Sequence, residues 1–91
     1  MNIEYEALKS FEWMQSEGLS PNVVTFICIL QACGNLGAID KGKSIHSEIV
    51  NRDWLDKYIV LGNALLDMYA KCGMLMKAQE VFEDLHGRNI A

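Results

Sequence analysis

The chain copies itself at a spacing of 36 residues, and that periodicity restricts its fold more than any single residue does. Gly37 and Gly73 stand 36 apart, and each is followed two residues later by an aliphatic residue, Ile39 and Leu75. The same register aligns Ala7, Gly42 and Ala78 at steps of 35 and 36, and sets Phe11 and Phe82 in a shared Ala-x-x-x-Phe spacing. Self-similarity at this period marks stacked helical hairpins, because one hairpin cannot bury both of its faces alone.

Local patterns fill in the hairpins. Ala7, Leu8, Phe11 and Met14 recur at three- and four-residue steps, one face of a helix, and Gly18 follows as a stop before a turn at Pro21. The run "TFICILQAC" at 25–33 is apolar on nearly all sides, and its β-branched residues would tolerate a strand. Its counterpart one period later, 61–72, is helical, and so 25–33 is assigned to a buried helix. In "AIDKGKSIHSEIVNRDW", Ile39, Ile45, Ile49 and Val50 form the inner face, with Asp40, Lys43, Glu48 and Arg52 outside. Small residues at the crossings, Ala64 and Ala78, are expected to let the last two helices pack closely, with Gly73 as the positive-φ stop between them. The expected architecture is all-α: about five helices in a short right-handed α-solenoid.

Composition agrees with a compact helical chain. Ninety-one residues make one small domain, 51% hydrophobic, with one proline and seven glycines. The net charge of −4 counts against gripping phosphates by bulk attraction. Cys28, Cys33 and Cys72 are odd in number and sit within apolar runs, which suits a reducing compartment rather than a disulfide framework. The start "MNIEYEALKSF" has neither a signal nor a transit layout, and no run reaches the length of a membrane span.

The first helices decide between repeat families. "VVTFICILQACGNLG" and "IVLGNALLDMYAKCG" lack the Trp of tetratricopeptide repeats. They resemble the pentatricopeptide repeat family of plant organelles, and the resemblance covers nearly the whole chain. "EALKSFEWMQSEGLSPNVVTF" is similar to the second helix and exit of a standard repeat. "VVTFICILQACGNLGAIDKGKSIHSEIVNRDWLDKY" is similar to the long variant, and "IVLGNALLDMYAKCGMLMKAQEVFEDLHGRN" to the short one. The expected layout is a partial repeat at 1–22, a long repeat at 23–58, a short repeat at 59–89 and the start of another at 90–91. That order belongs to the land-plant subgroup associated with RNA editing.

The resemblance implies single-stranded RNA as partner, one base per repeat, read on the concave face. In that family a polar residue near the start of the first helix and the last residue of the repeat choose the base. Here these places hold Asn63 and Asn89, whose carboxamides present donor and acceptor together. By analogy an Asn pair favours a pyrimidine. The long repeat departs from the rule, with Ile27 and Tyr58 in the reading places. Val24 and Val60 occupy the place of an aliphatic wedge between bases, and Asn22 ends a repeat whose first helix is missing.

Plainer readings stand beside these. Asn63 as a helix-surface or capping residue, Asn89 as a frayed turn residue, and Val24 and Val60 as packing residues are the alternatives. Burial, rather than metal binding, is expected for Cys28, Cys33, Cys72, His46 and His86, which show no Cys-x-x-Cys and no clustered His pair. The fragment "HSE" at 46–48 matches half of a zinc-deaminase signature but lacks its Pro-Cys-x-x-Cys. Met68, Met74 and Met76 read as core filler, and Trp13 and Trp54 as edge packing in preference to base stacking. No nucleophile with a neighbouring base and no phosphate-cradling glycine loop is evident, so neither catalysis nor a cofactor is expected.

The sequence is therefore expected to be a fragment of an organellar RNA-processing or RNA-editing factor, located in a mitochondrion or chloroplast. Its uncapped apolar end faces should make it marginal alone and prone to self-association, and its affinity for RNA weak. The competing expectation is a helical adaptor for a protein or peptide partner, or a non-functional relic.

Overall fold

The computed structural model describes the backbone of residues 3–89, and the side chains of residues 3 and 5–85. Six helices account for nearly all of it: α1 (Ile3–Ser16), α2 (Val23–Leu36), α3 (Ile39–Asn51), α4 (Trp54–Lys57), α5 (Ile59–Lys71) and α6 (Leu75–Asn89). No strand occurs among the described residues, so the apolar run at 25–33 is indeed helical.

Three turns close in the same way. At Gly18, Gly37 and Gly73 the backbone enters the left-handed region, with φ of 74°, 70° and 76°. The amide after each glycine then donates to a carbonyl five residues back: Leu19 to Met14, Ala38 to Cys33, and Met74 to Tyr69. This is the Schellman closure, which satisfies carbonyls that the helix end would otherwise leave unpaired. At the other end of α2, Asn22 is the cap: its Oδ1 accepts from the Thr25 amide at 2.8 Å and from the Thr25 hydroxyl at 2.9 Å.

The sequence leads one to expect five helices, and α4 is the addition. Asp53 adopts φ 62°, a left-handed conformation that Asp tolerates better than most residues, and it breaks the chain out of α3. The single turn that follows buries Leu55 and sets Trp54 edge-on to Phe26, with ring centroids 5.7 Å apart. Arg52, expected on the outside of α3, lies over both of those rings at 5.4 and 5.2 Å. Trp54 is thus a packing residue, as the sequence reading favoured.

α2 and α5 lie side by side, α2 also packing on α1 and α3, and α5 on α3 and α6. The core between them is continuous: Phe11 from α1, Phe26 and Leu30 from α2, Ile45 and Ile49 from α3, and Leu61, Leu65 and Met68 from α5 are all buried. The body measures 43 × 27 × 17 Å, the elongated shape of a short stack.

Several expected core positions are not core. Val50 is 46% exposed, Met76 is 84% exposed, and Cys28 lies on the surface, whereas Met68 is buried and Met74 half-buried. Phe82 matches Phe11 in spacing but not in burial, at 48% against 1% exposed; Phe11 is packed against Phe26 of α2. Ala64 and Ala78 are half-buried against the core, and glycines also stand at close crossings. A Cβ on Gly42 would fall 2.6 Å from Met68 Sδ, so α3 and α5 meet at a distance that only a bare Cα allows without moving that methionine.

Candidate nucleic-acid interface

The repeat register turns the exposed side of α2 and α5 into two matched columns. In that register Val24 corresponds to Val60, Ile27 to Asn63, Gln31 to Asp67, and Asn35 to Lys71, each pair 36 residues apart. One contact ties the columns together: Lys71 Nζ donates to Asn35 Oδ1 at 3.3 Å while lying 3.1 Å from Asp67 Oδ2. The lysine on this face is therefore already paired with a carboxylate, and the face carries no excess of positive charge at that point.

Asn63 is the fifth residue of α5, exposed, and without a hydrogen-bond partner among the described residues. It is not a cap: Tyr58 holds the capping position of α5, with no side-chain cap bond. Its carboxamide stays free to donate and accept, the condition a base-reading residue must meet. One turn earlier Val60 is 51% exposed, and its counterpart Val24 is 65% exposed. Neither valine belongs to the buried core.

The remaining candidates sort differently. Asn22 is exposed, but its Oδ1 is committed to capping α2. Asn89 is the last residue of α6, and its side chain lies outside the described residues, as does that of His86. Ile27 is half-buried against the core, and Tyr58 packs edge-on to Trp54 at 5.6 Å. Trp13 is 58% exposed on α1.

On α3 the two ends of the "HSE" fragment have structural uses. Glu48 lies 3.6 Å from Arg52 and accepts from Gln15 at 3.4 Å. His46 Nδ1 is 2.8 Å from the Tyr69 hydroxyl, the rings meeting edge to face with centroids 5.7 Å apart. Burial, joined by the Lys77 cation and opposed by Asp84, lowers the His46 pKa from its ordinary 6.5, while burial raises that of Tyr69. Beside them a cleft of about 350 Å³ opens between α3 and α6, lined by Lys77, Glu80, Val81, Glu83 and Asp84 as well as His46. Burial likewise pushes the Cys33 thiol up to about 11, so it stays protonated at neutral pH and is a poor nucleophile.

The pairing of His46 with Tyr69 is the feature that reading the sequence missed. The signal was present: His46 falls in the register of Phe11 and Phe82, a polar ring where the other repeats carry phenylalanine.

Paired helices closed by equivalent glycine turns, with two first helices aligned into one face, define a helical-repeat solenoid. The profile described as "Pentatricopeptide repeat domain" matches residues 4–36, and the one described as "PPR repeat" matches residues 63–90. A pentatricopeptide repeat-containing protein of Arabidopsis thaliana is 42% identical over 85 residues, 93% of this chain and 12% of that protein. A putative mitochondrial one from the same plant is 41% identical over 88 residues, 97% of this chain and 14% of the relative. A chloroplastic one is 42% identical over 88 residues, 94% of this chain and 13% of the relative. The chain belongs to the pentatricopeptide repeat family, whose general function is RNA binding. It spans only about an eighth of the length of these relatives.

Proposed function

We propose that this chain is part of a solenoid that binds single-stranded RNA sequence-specifically, one base per repeat, within an organellar RNA-processing or RNA-editing factor. The observation that carries the reading is Asn63: an exposed carboxamide with no intramolecular partner among the described residues, one turn from an exposed Val60 and level with an exposed Val24. Asn63 would read one base, with Asn89 at the end of the same repeat as its partner, and the two valines would wedge between neighbouring bases. Asn22 contributes the edge of the preceding repeat, with its cap bond intact. Family membership supports RNA as the ligand, and the names of a mitochondrial and a chloroplastic relative support one of those organelles as the compartment. The chain itself supplies binding, and any editing chemistry belongs to a separate deaminase-type domain. The repeat boundaries proposed are 23–58 for the long repeat and 59–89 for the short one.

Fluorescence anisotropy at low salt, against RNAs that differ only at one base, tests this reading. A pyrimidine preference that falls about fivefold or more in Asn63→Ala is the expected result, the worth of one or two neutral hydrogen bonds. Equal binding of all four bases by the unmodified chain would sink it. A helical adaptor for a peptide is the second reading, favoured by the −4 charge and by exposed Leu75 and Met76 on α6.

A further inference from the structure

α5 carries Val60 and Asn63 in its first half, where Leu61 is buried and Gly62 lies against Leu85 of α6, and it is held by α3 and α2 along its second half. Met68 fills the space over Gly42 of α3, the next residue, Tyr69, meets His46 of α3, and Lys71 reaches Asn35 of α2. Gly42 and His46 are four residues apart, so they share one face of α3. One contact is steric and the other directional. Rotation of α5 about its axis would lift Met68 out of its notch, and sliding along the axis would stretch the 2.8 Å bond from Tyr69 to His46.

His46 stands where Phe11 and Phe82 stand in the flanking repeats, and Tyr69 stands in the register of Cys33. A phenylalanine at position 46 would fill the space but impose no direction. The polar pair thus occurs at the junction between the long repeat, which presents Ile27 in the reading place, and the short repeat, which presents Asn63.

We propose that His46 is a positioning residue for base reading: through its bond to Tyr69, the long repeat fixes the pose of the helix that carries Asn63. The inference rests on the reading of Asn63 given above. Asn63 and Tyr69 are six residues apart on one helix, about 9 Å along its axis, so a shift at one is transmitted to the other. A displacement of about 1 Å is enough to rob a hydrogen-bonding site of its selectivity.

The test uses the whole 91-residue chain with three variants, and circular dichroism verifies the fold of each. His46→Phe restores the residue of the flanking repeats and removes only the directional bond. Tyr69→Phe removes a single oxygen and carries the same test should His46→Phe fail to fold. His46→Asn keeps an acceptor near the place of Nδ1. The expected result is a loss of about three- to tenfold in the ratio between best and worst base for the two Phe variants, with a smaller change in total affinity and discrimination retained in His46→Asn. An unchanged ratio in a folded Phe variant, or equal weakening toward all four bases, overturns the proposal.

Amide hydrogen exchange separates this outcome from failure of the Asn63 reading. If the unmodified chain fails to discriminate among bases, that reading falls, and exchange alone decides the positioning role. Exchange accelerated mainly at 60–66 in Tyr69→Phe supports the role, and unchanged or uniformly faster exchange refutes it.

Discussion

Neutral His46 is held between Tyr69 of α5 and the charged side chains Lys77, Glu80, Glu83 and Asp84 of α6. Its folded pKa is lowered from 6.5, chiefly by burial, so the folded chain binds fewer protons than the unfolded chain as the imidazole titrates. The stability this neutrality contributes is fully present above pH 6.5 and is lost as pH falls from there toward the lowered folded value. Thermal melts at pH 7.5 and 5.5 should therefore show a lower midpoint at the acid value, and His46→Phe should flatten the difference. A midpoint as steep in pH for His46→Phe as for the parent would assign the effect to other groups. Cys33 and Cys72 do not enter this difference, because burial holds their thiols above the ordinary 9.0, so they stay protonated at both pH values and their own window lies on the alkaline side.

At the scale of the elements, the left-handed glycines set where each hairpin turns. An added Cβ at Gly73 would meet nothing within 4 Å, so its cost is conformational rather than steric. Gly73→Ala should destabilise the chain by about 1 kcal/mol in urea titration, and Gly73→Asn by less, since Asn tolerates that region better. Equal stability of all three would mean that the turn can close without a positive φ. These turns were legible in the sequence because glycine spacing and apolar periodicity are local signals. α4 was not, since four residues have no period to read and its break depends on one aspartate in an unusual conformation. The exposure of Val50, Met76 and Cys28 was equally hidden, because an apolar residue on a helix edge is buried only if a neighbour reaches it. Asn63 and the valines were singled out by resemblance alone, because no local pattern marks them. The bond from His46 to Tyr69 joins residues 23 apart, which a register can flag but only packing can bring together.

The whole molecule leaves apolar surface on both outer helices: Ile3 is 75% and Trp13 58% exposed on α1, and Leu75 is 69% and Met76 84% exposed on α6. A small repeat array gains stability by covering such a surface. Sedimentation at increasing concentration should show association together with a rising melting midpoint, and Leu75→Lys with Met76→Lys should weaken both. A concentration-independent melt of a monomer would show that this surface is tolerated bare. No helix among the described residues is long and apolar enough to cross a membrane.

The three matching turns also bear on time. Each closes through a bond spanning five residues, so a hairpin can find its own shape before it meets its neighbours. Chains dominated by such short-range contacts reach the native state in microseconds to milliseconds, and any hairpin can go first. The slow event is then the docking of one finished hairpin on the next, and a ribosome that releases the chain hairpin by hairpin would deliver it in the order in which it stacks.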